Sequence, residues 1–354
     1  MPNNFAPIVL FVYNRPDHTR RTVEALLKNS FASESELFVF SDGPKREDDI
    51  PIVQEVRTYI QSIQGFKRVH IVLAETNRGL ARSVIAGVSQ VINLSGRVIV
   101  LEDDLITAPT FLAFMNAALD QFANSECIMQ VSGYMFPVEV DTNADVYFLP
   151  YTSSWGWATW KRSWDRFNVN AEGWEKLFSD ANLRYRFDLE GAMSYSQMLL
   201  NQMQGIIDSW AIRWYWSVFC AEGLVVFPKK SFVQNIGFDG SGTHCSGSES
   251  EVYSHGDLQW VAEHNISEWV WPEKIEKSIN AHNSVVKFHA VRLVNDLNQK
   301  LRMHGNAISQ LETETHELQQ RCESLEAKLE QALKMSTANS YNTDDAGIRQ
   351  IYAK

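Results

Sequence analysis

Short apolar runs alternate with amphipathic stretches along the first third of the chain, and each run ends in a polar turn. Pro7-Ile8-Val9-Leu10-Phe11-Val12-Tyr13 has the length and β-branched content of a buried strand and gives way to Asn14-Arg15-Pro16-Asp17. Residues 19–28 place Val23, Leu26 and Leu27 at helical spacing. Glu36-Leu37-Phe38-Val39-Phe40 predicts a second strand, closed by the turn Ser41-Asp42-Gly43-Pro44, and residues 50–63 predict a second helix. Arg68 to Leu73 reads as a third strand, followed by the polar Glu75-Thr76-Asn77-Arg78-Gly79 and a helix over 81–94. The next apolar run, Val98-Ile99-Val100-Leu101, ends on three carboxylates, Glu102, Asp103 and Asp104. A helix over 109–122 and a strand over 128–133 continue the series. The order βαβαβαβ predicts an α/β fold: a mostly parallel, Rossmann-like sheet with helices on both faces.

In such a sheet the turns after successive strands gather on one edge, where ligands bind. Arg15, Asp42, Asn77 with Arg78, and the acidic triplet should therefore converge. An unpaired charge on a buried strand costs on the order of several kcal/mol, so the triplet belongs at the strand's mouth. Hard oxygen donors there suit Mg²⁺ or Mn²⁺ shared with a substrate phosphate; the competing reading is a solvated acidic turn. The first turn carries neither Gly-x-Gly-x-x-Gly nor Gly-x-x-x-x-Gly-Lys-Ser/Thr, which disfavours a nicotinamide dehydrogenase and a P-loop kinase.

Beyond residue 133 the pattern changes. Trp155-Gly156-Trp157-Ala158-Thr159-Trp160, then Trp164, interleave small residues with indoles. Gly156 between two tryptophans suggests a close backbone approach, to a sugar ring or within a core. Trp157, Trp160 and Trp164 fall at i, i+3 and i+7, the spacing of a core stripe on a helix. Asp208-Ser209-Trp210 sets an acid beside aromatics, as a general base or as a helix N-cap. The glycine-rich run from Asn235 to His244 reads either as an active-site loop delivering His244 to a metal or diphosphate, or as an ordinary surface loop.

With 354 residues and a hydrophobic content of 45%, the chain can bury a large core and still carry an appendage. A formal charge of −11 argues against a nucleic-acid surface. Four cysteines, widely spaced and without Cys-x-x-Cys, suggest neither a zinc site nor a disulfide framework. Residues 1–4 lack a basic leader region and no apolar run approaches a membrane span, so the expectation is a cytoplasmic protein, free or peripheral to an inner membrane.

From about residue 280 the composition shifts. Val294, Leu297, Leu301, His304, Ile308, Leu311, Thr315, Leu318, Cys322, Leu325, Leu329 and Ala332 keep an alternating 3,4 spacing flanked by charges, a coiled-coil pattern. Gly305-Asn306 is a candidate break, and one helix folded back on the domain is the alternative. The expected organisation is a domain over 1–275, a coiled-coil oligomerisation segment over 280–335 forming a homo-oligomer through 294–332, and a disordered polar tail over 336–354.

Taken in order, these residues resemble nucleotide-sugar-dependent glycosyltransferases of the GT-A fold, and in particular inverting enzymes of the N-acetylglucosaminyltransferase I type and their bacterial relatives. The likeness rests on Arg15, Asp42, Glu102-Asp103-Asp104, Gly156-Trp157, Asp208 with Trp210, and the late glycine-rich loop, over about residues 5–250. It implies transfer from a nucleoside-diphosphate sugar, expected to be UDP-linked, to a glycan, lipid-linked or protein acceptor, with Mn²⁺ or Mg²⁺ as cofactor. It implies donor contacts from Arg15, Asp42, Asn77, Arg78, Glu102, Asp103, Gly156 and Trp157. Asp104 would bind the metal, with His244 as a further candidate, and Asp208 would be the base. Two alternatives stay open, a sugar nucleotidyltransferase and a non-catalytic carbohydrate or sugar-nucleotide scaffold.

Overall fold

Strand β1 (Ile8–Val12) is buried along its whole length between β2 (Glu36–Ser41) and β4 (Arg97–Glu102), parallel to both. Alternate side chains leave it toward opposite faces. Ile8, Leu10 and Val12 join one apolar layer, and Val9 and Phe11 the other. The computed structural model describes residues 5–140, 143–239 and 269–348. Outside β2 lies β3 (Arg68–Leu73), so the first four strands take the order β3-β2-β1-β4, all parallel. The helices between them are α1 (Pro16–Leu27), α2 (Ile50–Gln61) and α3 (Leu80–Ser95). Val23, Leu26, Val56 and Ile60 of α1 and α2 cover one face; Val84, Val88 and Val91 of α3 cover the other. Helix α3 stops at Gly96, whose φ of 75° lets its N–H reach the Ile92 carbonyl at 2.8 Å.

Past β4 the sheet continues as β8-β6-β9-β7, giving eight strands. The elements are a short β5 (Leu105–Thr107), α4 (Phe111–Gln121), β6 (Ile128–Ser132), β7 (Val146–Leu149) and β8 (Trp157–Trp160). Then come the short helices α5 (Lys161–Trp164), α6 (Lys176–Ser179) and α7 (Ala181–Phe187), followed by α8 (Tyr195–Met203) and α9 (Trp210–Cys220). Strands β9 (Leu224–Pro228) and β10 (Val233–Asn235) follow. Strand β8 is antiparallel to β4 and β6, and β7 is antiparallel to β9; the others run in one direction. The expected mostly parallel sheet is thus present, with two reversed strands.

The tryptophan segment corrects the helical reading. Trp157 to Trp160 is a strand, so an i, i+3 pair lies on opposite faces rather than on one stripe. Trp157 joins the α3/α9 layer and stacks on Trp210 at 5.1 Å, while Trp160 faces α4 and donates to the Leu119 carbonyl at 3.0 Å. Only Trp164 sits on a helix, where its indole donates to Ser89. Gly156 does make a close backbone approach, to protein: its carbonyl accepts from Gly133, and its φ is 60°.

The last helix, α10 (Ile279–Ile348), belongs to two units. The compact unit reaches Ala290, past the expected limit of 275, because Ala281, His282, Val285 and His289 are buried in it. His282 there pairs with Glu190 at 2.9 Å. The second unit begins at Val291. The helix runs unbroken through Gly305-Asn306, where a break was anticipated, and continues to Ile348, into the stretch expected to be a disordered tail. Among the described residues no helix is long and apolar enough to cross a membrane.

A side chain at Gly156 would need a left-handed backbone, and its Cβ would lie 2.9 Å from Val233 and 3.2 Å from Phe111. Gly156→Ala should therefore destabilise the domain by about 1–3 kcal/mol, read as a lowered urea midpoint with unchanged slope.

Candidate active site

The parallel strands deliver their polar ends to one edge. Arg15 follows β1 and precedes Pro16, which opens α1 with a ring already suited to helical φ. Its carbonyl accepts from both the amide and the hydroxyl of Thr19, which fixes where the guanidinium starts. Glu102 closes β4, and Asp103 and Asp104 turn into β5. Arg15 forks onto both aspartates: one N–H group contacts Asp103 Oδ1, and Nη1 lies 3.1 Å from Asp104 Oδ2. Both carboxylates are buried, and among the described residues Asp103 Oδ2 has no hydrogen-bond partner. The aspartate backbone is held as well, since Thr22 donates to the Asp103 carbonyl at 2.8 Å.

One guanidinium faces three carboxyl groups, and the electrostatics show the shortfall. Burial, reinforced by Asp104 and Asp103, pushes the Glu102 carboxyl up to about 8. Burial raises Asp103 too, against the pull of Arg15. Arg15 is itself held above its ordinary value, because the two aspartates outweigh its own desolvation. Among the described residues, the cluster holds more carboxyl groups than Arg15 alone can neutralise.

A two-stranded sheet not expected from the sequence covers this cluster. Strand β10 pairs antiparallel with β5, and the Ile236 amide donates to the Asp104 carbonyl at 2.8 Å. Gly237 follows, so close to Asp104 that a Cβ there would run into Oδ2. His18, on the first turn of α1, reaches the same segment: its Nε2 is 3.2 Å from the Ile236 carbonyl and 3.3 Å from Asp239. Sequence reading passed over His18. The only signal was its position three residues after Arg15, on the helical face that Arg15 begins.

Asp42, Asn77 and Arg78 do meet, chiefly by building the loop. Asp42 Oδ1 accepts from the amides of Gly43 and Arg78, and Oδ2 from that of Gly79, so most of its lone pairs are used. Asn77 donates to the Gly43 carbonyl at 2.9 Å. Arg57 clamps the same corner by donating to the carbonyls of Asp42 and Ala74. The Arg78 side chain is exposed at the rim.

Asp208 reaches this edge from far along the chain. It is not the cap of α9: Ser209 is, accepting from the Ile212 amide. Asp208 is instead exposed, with Oδ1 3.2 Å from Arg213 Nη2 and Oδ2 turned toward Gly79, 3.7 Å from where a Cβ there would sit. Two residues on, the Trp210 indole lies beside Glu102 and favours its charged form. The Asp208 turn thus comes to the same edge as the acidic strand end. Gly156 and Trp157, expected at the donor, are instead in the core, Trp157 being only 1% exposed. Its ring has no open face for a sugar. His244 lies outside the described residues.

These residues fit a divalent ion in part. Among the described residues Asp103 Oδ2 is a buried oxygen without a partner, beside Glu102 and Asp104. No group of three His, Cys, Asp or Glu ligands forms among the described residues, so phosphate oxygens and water would have to complete the shell, as Mg²⁺ and Mn²⁺ allow.

The structure is thus a mostly parallel α/β sheet with acidic and basic strand ends at one edge. The glycosyl transferase family 2 model matches residues 8–188, just over half of the chain, and the chain belongs to this family of glycosyltransferases. No curated protein matches it. Similar solved structures include mannosyltransferase PcManGT from Pyrobaculum calidifontis in complex with GDP-Man and Mn²⁺, at 14% identity and TM-score 0.33 over 48% of this chain and 50% of that one. Others are S. aureus TarS, at 12% identity and TM-score 0.33 over 65% and 36%, and S. aureus TarS 1–349, at 12% and 0.36 over 65% and 59%. The chain spans less than two thirds of each of these structures.

Glu102 yields a pH test. Its folded value of about 8 exceeds its ordinary 4.5, so the folded chain holds the extra proton between those values and stability falls as pH rises through that window. In EDTA, Glu102→Gln should flatten the decline in urea midpoint between about pH 5 and 8.5. An unchanged slope would remove Glu102 as its source.

Proposed function

We propose that this site moves a glycosyl group from a nucleoside-diphosphate sugar to an acceptor hydroxyl with inversion at the anomeric carbon. The observation carrying the reading is the Arg15–Asp103–Asp104 cluster at the end of β4, with Asp208 Oδ2 turned toward Gly79 of the loop that Asp42 holds at the same edge. The diphosphate lies on the cluster and the acceptor approaches Asp208. Asp104, with Asp103, would hold a divalent ion, Mn²⁺ or Mg²⁺, and that ion would supply positive charge for the departing diphosphate. Arg15 adds its own positive charge at the same strand end, toward the phosphate oxygens. Asp42 keeps the 76–79 loop in place beside the nucleoside, with Arg78 at its rim. The donor is expected to be UDP-linked.

In the transfer step the acceptor oxygen bonds to the anomeric carbon as the bond from that carbon to the phosphate oxygen breaks. The hydroxyl proton passes to Asp208 Oδ2, and the electron pair leaves with the diphosphate. Arg213, on Oδ1, orients the carboxylate and leaves the other oxygen free. A single carboxylate at the acceptor side is the requirement of one direct displacement, and such a base contributes about 10²–10⁴-fold. The acceptor class, whether glycan, lipid-linked sugar or protein, lies with the surface around Asp208.

The reading is tested by screening UDP- and GDP-sugars with and without Mn²⁺, first by thermal shift and then by donor hydrolysis. Asp104→Ala should abolish the metal-dependent shift and turnover; full activity would end the metal assignment. Asp208→Asn should keep donor affinity within a few-fold and lower transfer by about 10²–10⁴-fold. Equal loss of donor affinity would make Asp208 a structural residue instead.

A further inference from the structure

The strongest feature outside the active site is the second unit. From Val294 to Leu325 the helix carries Val294, Leu297, Leu301, Ile308, Leu311, Leu318 and Leu325, each 50–68% exposed. That is a large apolar strip for a single helix to leave in water. We infer that its occupant is the same strip of a second copy, in a parallel, in-register, two-stranded coiled coil.

The arrangement follows from which apolar residue stands where. Starting a heptad at Val294 puts Val294, Leu301, Ile308 and Thr315 at a, and Leu297, Leu311, Leu318 and Leu325 at d, with His304 the polar exception at d. Val294, Ile308 and Thr315 are β-branched and Leu301 is not; β-branched residues at a with leucine at d favour two parallel strands over three or four. The hydroxyl of Thr315 donates to the Leu311 carbonyl at 2.7 Å, so its polar atom enters the seam already satisfied.

The surface also has the shape a partner needs. Ile308, Leu311, Glu312 and Thr315 line one concavity, extended by His316 and Gln319. Those first four are successive a, d, e and a positions, the hole that receives a d-position knob. In the parallel register the knob is Leu311 of the other copy.

Charge supports the same direction. Parallel pairing sets each g residue against the e residue five positions later in the partner. Arg321 at g then meets Glu326 at e, twice by symmetry, and Glu314 meets the neutral Gln319. No like-charged g–e′ pair arises between Val294 and Ala332. The dimer does not depend on the catalytic reading, and it leaves the acidic site of each copy on its own compact unit.

The full-length chain should run in light scattering at twice its chain mass across a dilution series. Leu311→Asp combined with Leu318→Asp should give a monomer, with the near-ultraviolet circular dichroism of the tryptophan-rich domain unchanged. Arg321→Glu should weaken association about tenfold, and adding Glu326→Arg should restore it. Register is read by oxidation: with Cys127, Cys220 and Cys245 changed to Ser, Cys322, an a residue, should cross-link the dimer under diamide. A monomeric or trimeric parent chain overturns the inference. So does charge reversal without rescue, or a dimer that Cys322 does not cross-link.

Discussion

The contact between Arg15 and the two aspartates is the constraint on which the catalytic unit depends. A guanidinium between buried carboxylates is stable only while its partners stay, since removing one side of such a pair costs about 3–5 kcal/mol. Here the partners come from the ends of β1 and β4, adjacent parallel strands in the middle of the sheet. The ion pair therefore locks the sheet edge and keeps an anionic site folded before any donor arrives. Its stoichiometry leaves Glu102 beside two further carboxyls, and among the described residues Asp103 Oδ2 has no partner. In the proposed function a divalent ion and a diphosphate would complete the arrangement.

The indoles do the complementary work. Trp157, Trp164, Trp210 and Trp214 pack together on the α3/α9 face, with ring centroids 5.1–6.3 Å apart. Two of their indoles are spent inside the protein: Trp164 donates to Ser89 at 2.9 Å and Trp214 to Gln130 at 2.6 Å, and Gln130 donates on to the Ser153 carbonyl. Close ring packing makes this layer a support within the core. That support is what carries α9, and with it Asp208 and Trp210, to the mouth of β4. The two sides of the proposed reaction are positioned by different parts of the fold, an ion pair at the sheet edge and an aromatic layer beneath it.

The compact unit and the exposed strip of α10 solve different physical problems. The first buries its apolar surface against itself, including the opening turns of α10 up to Ala290. The second leaves an apolar strip exposed, which the inferred dimer would cover.

The sequence by itself determined the parallel half of the sheet, because strand length, β-branching and intervening amphipathic periods are local properties that write themselves into consecutive residues. It also located Arg15, Asp42 and the acidic triplet, since strand ends in a parallel sheet share an edge. The long C-terminal helix was equally legible. Trp157 to Trp160 defeated the reading because an i, i+3 spacing of indoles is compatible with a helix or a strand, and antiparallel pairing with β4 decided between them. The three-residue strands β5 and β10 were too short to show a period, and their pairing joins residues more than a hundred positions apart. Tertiary structure alone revealed that Ser209 caps α9 and frees Asp208, that Arg15 faces the aspartates, and that His18 reaches the segment beside them. Each of those is a question of where one side chain's polar atoms find partners, which depends on neighbours that the chain brings together only on folding.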